Sequence, residues 1–334
     1  MKRKCERVVC SLDGPSDLLP LVASFSELSE GTEFQSYKDP QWRFLLSGEE
    51  ITGFVIKSDG AGADNHQTNR IDGCVLKVTL DEDTVGFGMV LVSTSKRGMG
   101  LARALIERAM RTDTPGQDKR FVLAVCSSLG QPLYRKLGFQ EAGMVTALTC
   151  SVSDIMQLPR EHVDYDNNLM VHDGKSCKNE TIASLVNHDA NATGMRREDR
   201  IKQLLKGYSD GSRSTLAFLS TAGRDDNCVS TAVARQDCLD GPLIIGPITG
   251  QEECCIPLMQ ALIETHFAGD EGRIATINIP VMMMVTDHPN LVAELLEIKG
   301  MTKLWECPAM TSDGRPVYQN GDGSYLAMMH PTLG

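Results

Sequence analysis

Between residues 85 and 110 the chain reads VGFGMVLVSTSKRGMGLARALIERAM. An apolar run, Val85 to Val92, passes through two glycines into a segment in which Ala102, Leu105, Ile106 and Ala109 recur at helical spacing. Arg103, Glu107 and Arg108 fall outside that stripe. A buried strand that turns within a few residues into an amphipathic helix commits the chain to layers of sheet and helix. The junction also offers chemistry. The first amides of a helix have no intrahelical partner, and together with the positive end of the helix dipole they form an anion site that glycine leaves open to a phosphate. The plainer reading is that the glycines only turn a corner and Arg97 is solvated.

Similar elements continue along the 334 residues, enough for two cores. The first half reads as a strand near Arg7 to Ser11, a helix from about Ser16 to Leu28, and a short helix from the DPQW segment to Leu46. Strands follow at GFVIK (53–57), GCVLKVTL (73–80) and Val85 to Val92, then the amphipathic helix, the strand FVLAVCS (121–127), a short helix ended by Gly138 and a closing strand VTALTC. The second half repeats the order from LMVHD to SYLAMM, which suggests an internal duplication with little residue identity. The boundaries expected are 1–152 for the first domain, a polar linker at 153–165 containing Pro159, and 166–334 for the second.

Composition excludes several classes. A formal net charge of −11 makes nucleic acid a poor partner. No apolar run reaches the roughly 20 residues of a membrane span. The opening MKRKCERVVCSLDG is basic but lacks the apolar core of a signal peptide. The 11 cysteines contain no C-x-x-C pair, and an odd count without a leader suits free thiols in a reducing, cytoplasmic setting. The seven histidines show no metal spacing, so no metal is expected. Two familiar nucleotide motifs are excluded as well. G-x-G-x-x-G fails at Arg103, and G-x-x-x-x-G-K-[ST] is absent.

Arg97-Gly98-Met99-Gly100-Leu101-Ala102 fits [RQ]-x-x-G-x-[GA], and here the chain resembles the GNAT superfamily of N-acetyltransferases. Further on, SSLGQPLYRKLGF resembles that family's segment from strand 5 into helix 4, with Tyr134 and Gly138-Phe139 matching and Ser127 where asparagine is common. Two motifs in order are far more specific than one. The resemblance implies two tandem GNAT-like domains, each a mixed, mostly antiparallel twisted sheet flanked by helices. It extends more weakly to the second half, whose corresponding turn, GPITGQ, has a proline where an amide donor is wanted and no arginine. Leu296 stands four residues before Gly300, the place Tyr134 has before Gly138. That half is accordingly expected to be degenerate, serving packing and substrate shaping.

The function implied is transfer of an acetyl group from acetyl-CoA directly to a primary amine, borne by a small molecule or a peptide. Residues 97 to 102 would cradle the pyrophosphate, Val90, Leu91 and Val92 would pair with the pantetheine arm, and Ser127 would lie against the cofactor. Tyr134 is the candidate acid for the departing thiolate. A phenol of pKa about 10 facing a thiol of about 8.5 is uphill by about 1.5 units, or about 2 kcal/mol, so the hydroxyl can stabilise the thiolate by hydrogen bonding without complete proton transfer. A base is not apparent. Val85 to Val92 carries no carboxylate, Asp81, Glu82 and Asp83 sit on a turn, and Glu30 and Glu33 follow the first helix. Cys126 reads as an inert core thiol in preference to an acyl-bearing nucleophile. The rival class is a non-catalytic acyl-CoA-binding sensor or scaffold.

Overall fold

The computed structural model describes residues 9–11, 51–57, 71–111, 119–159, 169–206, 213–220, 229–236, 241–268, 279–318 and 325–328, with 21, 24 and 28. The short helix expected at DPQW, together with Glu30 and Glu33, lies outside the described residues. Of the helix expected at Ser16 to Leu28, Leu21, Ser24 and Leu28 are described, helical and buried.

The chain divides into two compact units. The first comprises 1–140 together with Met310–Asp313, and the second comprises 141–309 and 314–334. The division falls before the expected linker. Part of that linker, α3 (Val152–Met156), is a short helix capped by Ser151, whose hydroxyl accepts from the Asp154 amide at 3.1 Å. Its Val152 and Ile155 are fully buried in the core of the second unit. The polar composition there reflects the cap, which needs serine and aspartate at these places.

In the first unit the strands β1 (Val9–Ser11), β2 (Ile51–Lys57), β3 (Ile71–Thr79) and β4 (Thr84–Val92) pair antiparallel in that order. β4 then pairs parallel with β5 (Arg120–Leu123). Between them runs α1 (Leu101–Met110), which buries Leu101, Leu105, Ile106 and Ala109 against the sheet. α2 (Gln131–Lys136) follows β5. The far edge of β5 is closed by residues from much later in the chain: Met310 pairs with Leu123 and Thr311 with Val122. Ser312 and Phe121 exchange two hydrogen bonds of 2.9 Å, and Arg120 meets Asp313 at 3.3 Å. Met310 is fully buried in the same core as Leu105 and Phe87.

The second unit contains β6 (Gln140–Ser151, from Glu141 on), β7 (Leu169–Asp173), α4 (Asn179–Thr193), α5 (Glu198–Lys206), β8 (Arg213–Ser220) and β9 (Val229–Gln236). β10 (Leu243–Thr249), α6 (Cys255–His266), β11 (Pro280–Thr286), α7 (Pro289–Leu296), β12 (Thr302–Thr311, to Ala309) and β13 (Tyr325–Ala327) complete it. β7, β8, β9 and β10 pair antiparallel in sequence, β10 and β11 pair parallel, and β11 pairs antiparallel with β6. Val281, Met283 and Val285 of the methionine-rich run point into the core around α6. Each unit is thus a mixed, mostly antiparallel sheet flanked by helices.

Candidate active site

β4 carries the first feature of the site. Cys74 pairs with Leu91 but Leu76 pairs with Gly88, so β4 holds an extra residue there, and Met89 takes φ +52°. This is a β-bulge, which bends a strand and re-aims the residues beyond it. Parallel pairing with β5 covers only Thr84–Arg120, Val85–Phe121 and Gly86–Val122. Beyond the stacked rings of Phe87 and Phe121, 5.4 Å apart, β4 runs on to Val92 with no further β5 partner among the described residues. The expected cofactor contacts Val90, Leu91 and Val92 lie on this stretch, past the bulge.

The turn comes directly afterwards. After one 3₁₀ turn at Thr94–Lys96 come Arg97, then Gly98 at φ +75° and Gly100 at φ +81°, the latter as N-cap of α1. Left-handed backbone is cheap only for glycine, and it lets the first amides of α1 face outward without a side chain over them. A Cβ at either glycine would meet no described atom within 4 Å, so the described residues leave this space open. Among the described residues no side chain caps α1, and no acidic residue lies in its first turn. Arg97 is half-buried and braces the turn, donating from Nε to the Val92 carbonyl at 3.1 Å and from Nη2 to that of Leu28 at 3.4 Å. The Ser93 hydroxyl is buried just before the turn with no hydrogen-bond partner among the described residues. These features fit the diphosphate and extended arm of an acyl-CoA, with Leu101 and Ala102 opening the helix and Met99 more than half exposed at the tip.

Tyr134 sits on α2, 5% exposed, with its ring edge-on to Phe139. Gly130 allows this position, because a Cβ there would lie 2.6 Å from the Tyr134 ring and 2.7 Å from its hydroxyl. Sequence reasoning passed over Gly130, although a glycine four residues before the tyrosine was the available signal. Burial, and secondarily the neighbouring Cys126, push the phenol well above its usual range, so it stays protonated. Such a group donates a hydrogen bond readily and gives up its proton reluctantly. Ser127 serves the local backbone: its hydroxyl accepts from the Gly130 amide at 3.3 Å and helps close the loop into α2. Cys126 is fully buried with its thiol on the Leu123 carbonyl at 3.6 Å, and the described histidines all lie in the second unit. Asp81 holds its turn through the amides of Asp83 and Thr84, at 2.9 and 2.6 Å. Among the described residues no group of three or more His, Cys, Asp or Glu is placed to hold a metal, and no helix is long and apolar enough to cross a membrane.

Residues 50–141 match the family described as acetyltransferase (GNAT) domain. The first unit carries a GNAT acetyltransferase domain. Its family transfers acyl groups from acyl-CoA, and the bulged strand, glycine turn and α2 described above all fall within the matched residues. The fold likeness is wider than the family match. A putative acetyltransferase from Pyrococcus horikoshii superposes with a TM-score of 0.65 at 13% identity, covering 98% of this chain and 95% of that one. A tandem GNAT protein from the clavulanic acid biosynthesis pathway gives 0.64 at 12% identity, covering 92% and 97%. A GCN5-related N-acetyltransferase from Anabaena variabilis gives 0.52 at 15%, covering 91% and 72%. At these identities the likeness concerns the fold, which is that of two GNAT-like domains in one chain. No curated protein matches the chain in sequence.

Proposed function

We propose that the first unit is an N-acetyltransferase that moves the acetyl group of acetyl-CoA directly to a primary amine of a small molecule or peptide. The observation that carries this reading is the continuity of three features in one unit. A β4 edge with no further β5 partner among the described residues runs into a glycine turn at a helix N-terminus that no described side chain caps, and a buried, protonated tyrosine stands on the next helix. The amides from Gly98 to Ala102 hold the pyrophosphate, Val90 to Val92 offer backbone to the pantetheine arm, and Ser127 borders the cofactor through the loop it closes. In the reaction the amine nitrogen bonds to the thioester carbon, the carbon–sulfur bond breaks, its electron pair passes to sulfur, and the nitrogen proton leaves to water. Backbone amide of β4 stabilises the charge on oxygen as a preorganised donor. Tyr134 donates its hydrogen bond to the sulfur as charge develops there.

The second reading is a non-catalytic acyl-CoA sensor, and it is favoured by one observation: β4 offers no ionisable side chain to take the amine proton. Thiol release from acetyl-CoA, screened over small amines, polyamines and peptide N-termini, decides between them. Release accelerated by a member of the panel supports the enzyme. Binding of acetyl-CoA with no acceleration by any amine supports the sensor. Repeating the screen with longer acyl-CoA esters sets the acyl preference.

A further inference from the structure

The second unit holds a cavity of about 120 Å³ that the acyl-transfer reading does not use. It opens at the C-terminal end of β11, where Thr286, Asp287 and His288 lead into α7, and its wall includes Tyr318 and Tyr325. For scale, a cavity of about 150 Å³ accommodates benzene. Crevices at the carboxyl ends of strands, where connections diverge, are where open α/β sheets bind ligands.

Three observations give the cavity a chemistry. Asp287 takes φ +52°, one of only two non-glycine residues with positive φ among the described residues. Its amide donates to the Met144 carbonyl at 2.8 Å, a bond that glycine would make without strain. Strain held at a cavity wall is a mark of function when the side chain itself is what the site needs. The side chain it places there is a carboxylate, and no lysine or arginine is among the described lining residues. The imidazole of His288 is engaged by Glu252, at 2.7 Å from Nδ1 to Oε1, so this pair brings no net positive charge. Behind the wall, Arg197 is fully buried and matched by Asp189 at 2.6 and 3.0 Å, so its charge is spent inside the unit.

The third observation is the Tyr318 hydroxyl. It is buried beside the Tyr325 hydroxyl and engages it as the donor of the pair, which leaves the Tyr318 lone pairs for a ligand that donates to them. Thr286, whose hydroxyl donates to the Tyr325 carbonyl at 2.7 Å, keeps lone pairs for the same purpose.

The geometry points to a binding site for a small organic ammonium ion, with Asp287 as counter-charge and the Tyr318 and Thr286 hydroxyls as acceptors. It stands apart from the acyl-transfer reading, and either can fail without the other. The test is isothermal titration and thermal shift of the full chain with ethylammonium chloride, against sodium chloride, ethanol and sodium acetate as controls. Ethylammonium is expected to bind and to raise the melting temperature, and ethanol and acetate are expected to do neither. Asp287→Asn keeps a residue that tolerates left-handed backbone and removes only the charge, so affinity should fall at least tenfold in a folded protein. Asp287→Gly should raise the melting temperature of the unliganded protein and abolish the ligand-induced shift, a combination that a purely structural aspartate would not give. Absent binding, equal binding of ethanol, ethylammonium affinity unchanged in Asp287→Asn, or a lower melting temperature in Asp287→Gly would each overturn the proposal.

Discussion

The two units place the same succession, strand, helix, strand, helix, around a parallel pair that holds together for three residues and then parts. In the first unit the pairs are Thr84–Arg120, Val85–Phe121 and Gly86–Val122, and in the second Leu243–Val281, Ile244–Met282 and Ile245–Met283. Beyond the parting the two units differ. Past Gly86, β4 has no further β5 partner among the described residues, whereas past Ile245 the gap is filled by β13. There Ile248 and Val285 both pair with Ala327, Thr249 pairs with Tyr325, and the Met328 amide reaches the Met284 carbonyl at 2.9 Å. The turns differ in the same sense. Arg97, Gly98 and Gly100 lead into a helix with no acid in its first turn, while Pro247 and the acids Glu252 and Glu253 stand before α6. One fold can therefore leave two parted strands without a strand between them among the described residues, or fill the gap with its own chain.

The largest effect expected is at Tyr134. Tyr134→Phe keeps the ring on Phe139 and deletes the hydroxyl, and turnover should fall by about 10²- to 10⁴-fold, the span of a positioned acid. The loss should appear in kcat and in kcat/KM alike, and shrink with a more acidic leaving thiol. Leu296→Ala, at the matching place of the second unit, should leave turnover unchanged. Wild-type rates in Tyr134→Phe, with chemistry rate-limiting, would remove the asymmetry.

Next comes the anchor of β13. Burial alone would depress the Arg197 guanidinium, but the Asp189 carboxylate more than compensates and holds it above its usual range. Arg197 also donates to the Tyr325 hydroxyl at 3.1 Å and lies over its ring. Arg197→Met leaves Asp189 buried without its partner and should cost about 3–5 kcal/mol in urea denaturation. A cost below about 1 kcal/mol would mean that the closed slot does not depend on this pair.

Much of the first unit's candidate site was legible because it is local. The strand, the two glycines and the α1 stripe fall within 26 residues of sequence, and Tyr134 follows at motif spacing from Gly138. The bulge at Met89 was not legible, since nothing in GFGMVLV marks which residue is unpaired; only the register with β3 does. Nor was the closure of β5 by Met310–Ser312, or of the β10–β11 gap by Tyr325–Ala327, because those contacts join positions far apart in sequence. Asp189 in α4 and Arg197 just before α5 look like ordinary polar residues until the fold buries both.

A smaller effect probes what the two units share. Burial raises the thiols of Cys74 and Cys255 to about 12, against 9.0 unperturbed. Between those values the unfolded chain loses the proton while the folded chain keeps it, so stability falls as pH rises from 9, and below 9 neither thiol contributes a slope. At pH 10 the loss is about 1.4 kcal/mol per thiol. Cys74→Ala should flatten part of that alkaline slope in denaturant titrations, and an unchanged slope would show that the thiol ionises equally in both states.

The smallest expected effect is none at all. Pro247→Gly combined with Glu252→Gln relieves the turn of the second unit but leaves β13 in place, so calorimetry should detect no additional acetyl-CoA. An additional bound molecule would mean that the turn, and not β13, closes the slot.

The central proposal is that the chain holds one acyl-CoA, in the first unit, with its pyrophosphate on the turn from Arg97 to Ala102, and that the second unit holds none. Calorimetric titration of the full chain with acetyl-CoA, beside Gly100→Asp, tests it most directly. The open space at Gly100 admits the aspartate, at some backbone strain, while its charge faces the pyrophosphate. One acetyl-CoA per chain, weakened at least 100-fold in a folded Gly100→Asp protein, is the result predicted. Two per chain, or an affinity that the aspartate leaves unchanged, would contradict it.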